Sequence, residues 1–539
     1  MKKCTLQKNK ASQPWAIFVL SYELKQKQMN KLIKLVFVLV IFPTALIAQA
    51  SKQKYQYHID LLHMSDDEVT VSFTPPRNTL KEGKFIIPKL VPGFYQAMNF
   101  GQYVSNLAAT DKKGKKITVE RLDQNSWMVH DLKNVHRISY QVADGWDSLK
   151  QNTQGAKSAG STFKKDSVFV INYNSLVGYF EEMKDIPYQI NITKNKDFYA
   201  SSALDYQQKD KNTDIVYAKD YRQLVDSPVL YCVPDTTWLK IGHTEVLVSF
   251  YNKKERHYSK KIALEIENIL KNQQAYLGGT LPVNKYAFLI YYESSNEKGF
   301  MGDGLEHSQS TVCLYRSGNM SFLPNALNRV ASHEFFHIVT PLNIHSGEIQ
   351  HYDFLNPSMS EHLWLYEGMT EYATIHMPIK QKMISLEDFE KSLEEKIKGM
   401  KEFDNSLSFT EISKNAMERQ DQYMNFYQKG PLLGLCLDIR LRELSGGKMG
   451  TQDLMLQLMK KYGAGKYFND GDLFDEITAM TFPEIRTFFR DFVEGTQPVP
   501  LKEYLAKVGF NYDEATGKVS LSPNPDLKQT ALRKAWISQ

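Results

Sequence analysis

From Ser51 to about residue 222, apolar and polar positions alternate in short runs. Val69-Thr70-Val71-Ser72-Phe73, Ile138-Ser139-Tyr140-Gln141-Val142 and Val168-Phe169-Val170-Ile171 are rich in β-branched and aromatic residues, and Thr74-Pro75-Pro76 and Lys113-Gly114 interrupt the pattern as turns. No helical stripe breaks the series, so this half is predicted to be a mostly antiparallel β-sandwich. After Asp226-Ser227-Pro228 the period lengthens. Strands are expected near 245–251 and 285–292, framing an amphipathic helix over about 258–276. The remainder reads as largely helical, with helices over 431–444, 452–462 and 482–493 and Gly446-Gly447 closing the first of them. The pattern divides the chain into a β domain over 51–222, an α+β domain over 223–497 and a short C-terminal tail over 498–539.

Composition adds little to this division. At 539 residues the chain is too long for one core, and 42% hydrophobic with 24% charged residues is globular. Charge placement says more. The formal net charge is +5, but residues 1–50 carry eight lysines against Glu23, which leaves −2 on the rest. No basic patch remains to argue for nucleic acid or an anionic membrane.

Those lysines belong to a leader. From Met29, Lys31 and Lys34 precede the apolar run Leu35 to Ile47 and the small-residue site Ala48-Gln49-Ala50, the layout of a cleavable export signal over 29–50. Residues 1–28 then read as an upstream extension. An apolar run of about 13 residues falls short of the ~20 that span a bilayer, so no stable membrane span is expected after cleavage. The expectation is a periplasmic or extracellular protein. Cys232, Cys313 and Cys436 are odd in number and widely spaced, and make no disulfide framework.

The chemistry is concentrated in His333-Glu334-Phe335-Phe336-His337. At 3.6 residues per turn, positions i and i+4 leave one helical face together, so two imidazoles can grip one zinc ion with Glu334 beside it. Glu334 can then take a proton from water acidified by the metal, as a general base for amide hydrolysis. Two surface histidines on a helix are the plainer alternative. Context favours the metal: Pro324 can open the helix, Pro341 can stop it, and Leu327, Ala331, Phe335 and Ile338 form a separate apolar stripe.

Two histidines leave the ion short of a protein ligand. A third histidine of the H-E-x-x-H-x-x-G-x-x-H type is excluded, because Thr340 and Asn343 stand at the glycine and histidine positions. Glu367, in Trp364-Leu365-Tyr366-Glu367-Gly368-Met369-Thr370-Glu371-Tyr372, supplies the third ligand from a second helix, with Ser358 and Glu361 as an S-x-x-E capping box ahead of it and Pro378 beyond its end. Glu371, one turn on, is either a solvated carboxylate or the acceptor for the outer nitrogen of a zinc-bound histidine. His345, His351, His362 and Asp353 lie nearby and read as surface groups.

With these segments in view, the chain resembles the glycyl aminopeptidase family of gluzincin metallopeptidases, relatives of aminopeptidase N. Val91-Pro92-Gly93-Phe94-Tyr95 and Tyr221-Arg222-Gln223-Leu224-Val225-Asp226-Ser227-Pro228 look like the family's amino-terminal β domain and its boundary. Gly302-Asp303-Gly304-Leu305-Glu306-His307-Ser308 resembles its G-G-x-E-H segment, Trp364 to Tyr372 its W-x-x-E-G-x-T-x-Y helix, and Tyr427-Gln428-Lys429-Gly430 its Y-x-K-G segment. The resemblance runs from about residue 55 to 510. It implies a thermolysin-like, mostly helical catalytic domain, Glu306 on a strand flanking the cleft as the partner of the substrate's free α-amine, and Tyr427 as the phenol that hydrogen-bonds the oxyanion, with Tyr423 in reserve. Two departures stand out. Ile338-Val339-Thr340-Pro341-Leu342-Asn343-Ile344 replaces the family's Trp-Asn-x-Lys-Arg stretch, and the residues after Pro500 are too few for the PDZ-like domain of many relatives.

The sequence thus predicts an α+β multidomain, exported zinc aminopeptidase holding one zinc per chain on His333, His337 and Glu367. Glu334 and Tyr427 are its catalytic groups, Glu306 its substrate-binding group and Glu371 the support for a ligand histidine. Its partners are peptides with free N-termini, with small first residues expected from the resemblance alone. The competing readings are an endopeptidase of the same chemistry and a non-catalytic peptide-binding envelope protein.

Overall fold

In the strand Tyr55–Ser65, alternation buries Tyr55, Tyr57, Ile59 and Leu61 on one face and leaves the residues between them accessible. The computed structural model describes residues 53–538 apart from 66, 149–155, 296–299 and 464. The leader segments over 1–28 and 29–50 lie outside the described residues. Tyr55–Ser65 is central to an eight-stranded sheet, antiparallel to Glu68–Thr74 and parallel to Tyr188–Thr193. Two four-stranded sheets accompany it, and Phe73 of the large sheet stacks on Phe85 of one of them at 5.3 Å. The expected strands over 69–73, 138–142 and 168–171 fall within Glu68–Thr74, Arg137–Ala143 and Val168–Ile171.

The β region continues past the expected boundary at 222. Val229–Cys232 pairs antiparallel with both Val168–Ile171 and Tyr199–Ser202, so the chain re-enters the sheet after the short helix Tyr221–Val225, which Asp220 caps. A five-stranded sheet then follows in the order Thr236–Ile241, Thr244–Asn252, Lys285–Ser294, Ser310–Ser317, Phe300–His307. Its second and third strands are parallel, and the helix Ser259–Tyr276 makes the crossover, burying Ile262, Ile266 and Leu270. Phe300–His307 is one of its two antiparallel edge strands, the one next to Ser310–Ser317. Helices Leu323–Phe336, Thr370–Lys380, Leu386–Met400 and Asn425–Leu444 make the body of the second half around one apolar core. The fold is therefore a β-sandwich-rich region followed by a helical domain, of mixed α+β content.

Three local expectations are corrected, and the tail gains a fold. The helix expected from Pro431 begins at Asn425 and carries Pro431 inside it. Proline cannot donate to the carbonyl four residues back, and that carbonyl, Tyr427 O, instead accepts from Lys396 Nζ at 2.8 Å. The Ser358/Glu361 capping box does not form: a π-helical turn, Trp364–Met369, starts the second site helix, and Glu361 pairs with Lys414 at 2.5 Å. Pro378 sits inside the last turn of Thr370–Lys380, not beyond it. The tail after 498 is folded: Leu501–Lys507, the hairpin Phe510–Tyr512/Val519–Leu521 and Leu527–Ile537 pack on the helical body, with Trp536 fully buried between Phe389, Phe510 and His376. Among the described residues no helix is long and apolar enough to cross a membrane.

Candidate active site

The helix Leu323–Phe336 presents Leu327, Ala331 and Phe335 to the core and His333 to the cleft, with Ile338 continuing the buried stripe. His337 lies one residue past the helix end, in a tightened turn where its N–H bonds Glu334 O at 3.3 Å. The two imidazole centroids stand 4.8 Å apart at 82°. Glu367 comes up from the π-helical turn facing them, its Oε2 3.5 Å from His333 Nε2 and 3.8 Å from His337 Nε2. Such turns inside helices recur at functional sites.

Each histidine is oriented from behind. His333 Nδ1 is 2.8 Å from Glu371 Oε2, and His337 Nδ1 is 2.9 Å from Thr340 O. These partners take the outer N–H, which leaves each Nε2 lone pair turned to the centre. Lys396 Nζ, buried on the neighbouring helix, bonds Glu371 Oε1 at 2.6 Å as well as Tyr427 O. The Tyr427 hydroxyl donates to Glu367 Oε2 at 2.6 Å, with Tyr423 OH 3.3 Å behind it.

The remaining carboxylates approach from the other side. Gly304 on the edge strand makes room for Glu334, since a Cβ there would lie 3.1 Å from Glu334 Oε1. Glu306, two residues along the same strand face, has a carboxyl oxygen within 4.8 Å of both Glu334 and His337. Beside it opens a cavity lined by Tyr95, Arg222, Pro341, Leu342, Ile349 and Leu363 among others.

Crowding of acids shapes the electrostatics. Burial pushes Glu334 up to about 7; His333 pulls it down and Glu367 adds to the rise. Burial, then Glu367 and Glu334, hold Glu306 well above the usual carboxylate range. Burial also opposes ionisation of Glu371, but His333 and Lys396 outweigh it and keep the carboxyl low. At His337 burial dominates and lowers the imidazole to about 4, whereas at His333 burial is outweighed by Glu367 and Glu371 and the ring is raised.

A divalent cation fits this arrangement. Donors around a tetrahedral zinc lie about 3.3 Å apart, close to the spacings from Glu367 to the two histidines. His333 Nε2 and Glu334 Oε2 are buried without a hydrogen-bond partner, and four gathered carboxylates call for positive charge. Of the other histidines, His345 bonds Gln350, His351 packs on Tyr467, and His362 has one nitrogen on Asp470 O and the other accepting from Trp364. Asp353 accepts from the backbone of Leu355 and Asn356. None joins the site. Lys396 was invisible to motif reading, although a lysine on the apolar face of Phe389, Leu393 and Ile397 is a usable signal.

A His-His-Glu donor set with a flanking carboxylate, on two helices beneath a five-stranded sheet, defines a metallopeptidase. The family follows from sequence: the Peptidase M61 N-terminal domain matches residues 56–233 and the M61 glycyl aminopeptidase domain residues 326–433, together more than half of the chain. The chain belongs to the M61 glycyl aminopeptidase family. Among solved structures it is similar to an aminopeptidase N family protein from Idiomarina loihiensis, with a TM-score of 0.74 at 21% identity over 85% of this chain and 78% of the other. It is also similar to an M1 zinc metallopeptidase from Deinococcus radiodurans, in a variant bound to a Tyr-Ser-Ala substrate, with a TM-score of 0.51 at 11% identity over 83% of this chain and 95% of the other. At these identities the likeness is one of fold. No curated protein sequence matches the chain.

Proposed function

We propose that the protein is an exported zinc-dependent aminopeptidase that removes the first residue from peptides with free N-termini. The observation that carries this reading is the convergence of His333, His337 and Glu367 on one point, with a further carboxylate, Glu306, a few ångströms along the cleft. Membership of a peptidase family supports the reaction class. Export rests on the leader pattern over 29–50.

His333 Nε2, His337 Nε2 and Glu367 Oε2 are the atoms that would hold the zinc, one per chain. A zinc ion in that set supplies Lewis acidity, polarising the scissile carbonyl and acidifying water. Glu334 takes the proton of the attacking water on its free carboxylate oxygen and delivers it to the departing amine. Tyr427 O–H, 2.6 Å from Glu367 Oε2, is placed to donate to the oxygen that becomes negative. Glu306 pairs with the substrate ammonium, a charge that needs a carboxylate partner once it leaves water. Glu371 and Lys396 keep His333 in its tautomer and orientation.

The first side chain then faces the cavity of Pro341, Leu342, Ile349 and Leu363, which supports apolar residues; small ones are the expectation from the family. Assaying free and N-acetylated peptides side by side, with product ends identified by mass, tests the reading. Free peptides are expected to lose one residue from the amino end and acetylated ones to resist. Equal cleavage of both would make the enzyme an endopeptidase.

A further inference from the structure

Gly93 stands against the carboxyl of Glu306. It is the third residue of the turn Val91-Pro92-Gly93-Phe94, closed by Phe94 N–H to Val91 O at 3.3 Å, with a φ of +82° at the glycine. Pro followed by Gly at the two central positions is the signature of a turn with left-handed backbone at the second, which only glycine adopts freely. A Cβ built at Gly93 would lie 2.4 Å from Glu306 Oε1, 2.8 Å from its Cδ and 3.0 Å from its Oε2. These three atoms are the whole carboxyl group. The bare Cα of the β domain therefore forms one wall of the place where the Glu306 carboxyl rests.

The turn is held on both sides. Before it, Lys89 N–H and Leu90 N–H both bond Phe354 O, at 2.8 and 3.2 Å. After it, Tyr95 O accepts from Gln420 Nε2 at 2.8 Å, Gln96 Nε2 reaches Gln420 Oε1 at 2.7 Å, and the Tyr95 ring packs 5.3 Å from that of Tyr423, the neighbour of Tyr427. Neither flank is free to retreat from a side chain placed at 93. Glu306 would have to yield, and Glu306 is the group assigned to the substrate amine.

From this we infer that Gly93 is a positioning residue for recognition of the substrate N-terminus: the hydrogen in place of a side chain lets Glu306 hold its carboxylate where the ammonium arrives. This rests on the aminopeptidase reading of Glu306. The β domain thereby contributes to selectivity through one glycine, without itself supplying a catalytic group.

A double-mutant cycle over Gly93→Ala and Glu306→Ala, read as KM and kcat on a free-amine peptide and as zinc content, tests it. Gly93→Ala is expected to raise KM on the order of 10-fold or more with zinc retained, and to add nothing on the Glu306→Ala background, because the two changes remove the same interaction. The double variant also controls for folding: general damage by alanine at 93 would multiply with the loss from Glu306→Ala. A compensating pair, Gly93→Ala with Glu306→Asp, withdraws the carboxyl by one methylene and is expected to lower KM relative to Gly93→Ala alone. A wild-type KM in Gly93→Ala, or multiplicative losses, would overturn the inference while leaving Glu306 in its role. A wild-type KM in Glu306→Ala would instead remove the aminopeptidase reading, and the inference with it.

Discussion

Gly368 and Gly430 meet backbone to backbone: a Cβ on Gly430 would fall 2.7 Å from the Gly368 Cα, and one on Gly368 would fall 3.0 Å from the Gly430 Cα. The first glycine follows Glu367 and the second follows Tyr427 by three residues, so their contact sets the distance at which the Tyr427 phenol meets the Glu367 carboxylate. Alanine at 430 should push the two helices apart. Tyr427→Phe is expected to lower kcat by about 10²–10³ with KM little changed, the loss of one oxyanion donor, and Gly430→Ala to reproduce a large part of it. Steady-state kinetics on one peptide checks both, and an unaffected kcat in Tyr427→Phe would take the phenol out of the reaction.

Glu371 links His333 to Lys396, at 2.8 and 2.6 Å. Removing its carboxylate frees the outer nitrogen of a proposed zinc ligand and leaves a buried lysine unpaired. Glu371→Ala should weaken zinc binding about 10–100-fold, seen as faster loss to a chelator. Lys396→Met strands the acid instead and should cost about 3–5 kcal/mol of stability, as one-sided removal of a buried pair does. Equal zinc retention in Glu371→Ala and wild type would make the contact merely structural.

Much of this site was legible because helical periodicity carries it. His333 and His337, and Glu367 with Glu371, are i, i+4 pairs, and the apolar stripe of Leu327, Ala331 and Phe335 placed the first helix. What escaped depends on tertiary contact. Lys396 reaches the site from a separate helix with no motif of its own. The helix expected from Pro431 runs through that proline because Lys396, from another helix, satisfies the carbonyl one turn back that proline leaves without its donor. Trp536 buries a helix whose sequence has no strong apolar face, so the folded tail could not be read from pattern. The β-region boundary moved because Val229–Cys232 returns to a sheet laid down about sixty residues earlier, a pairing no local window contains.

His376 makes stability depend on pH. Its Nδ1 lies 2.9 Å from Tyr276 OH and its Nε2 2.9 Å from Trp536 O, partners that suit the neutral ring, and burial lowers its pKa from 6.5 to about 4. Below pH 6.5 the unfolded chain takes up this proton first, so the contribution falls as the pH drops toward 4 and is flat below. The change is at most about 3 kcal/mol. Chemical denaturation of wild type and His376→Phe across this window should show their stability gap shifting against the wild type by that order as the pH falls; a constant gap would contradict it.

The C-terminal helix should matter out of proportion to its length. Trp536 is fully buried, and Arg442 Nη1 and Lys380 Nζ donate to the carbonyls of Ala535 and Trp536 at 2.9 and 3.1 Å. Trp536→Ala is expected to cost about 3–5 kcal/mol, measured by denaturant titration. A change within a few tenths of a kcal/mol would mean that the helix is dispensable.

The central claim is that His333, His337 and Glu367 hold one zinc on which peptide hydrolysis depends. Elemental analysis of the purified protein and of Glu367→Ala, with peptidase activity followed through chelation and zinc return, tests it most directly. The account predicts about one zinc per chain in the wild type, little in Glu367→Ala, and activity that leaves and returns with the metal. Undiminished hydrolysis by metal-free protein, or full zinc occupancy and activity in Glu367→Ala, would contradict it.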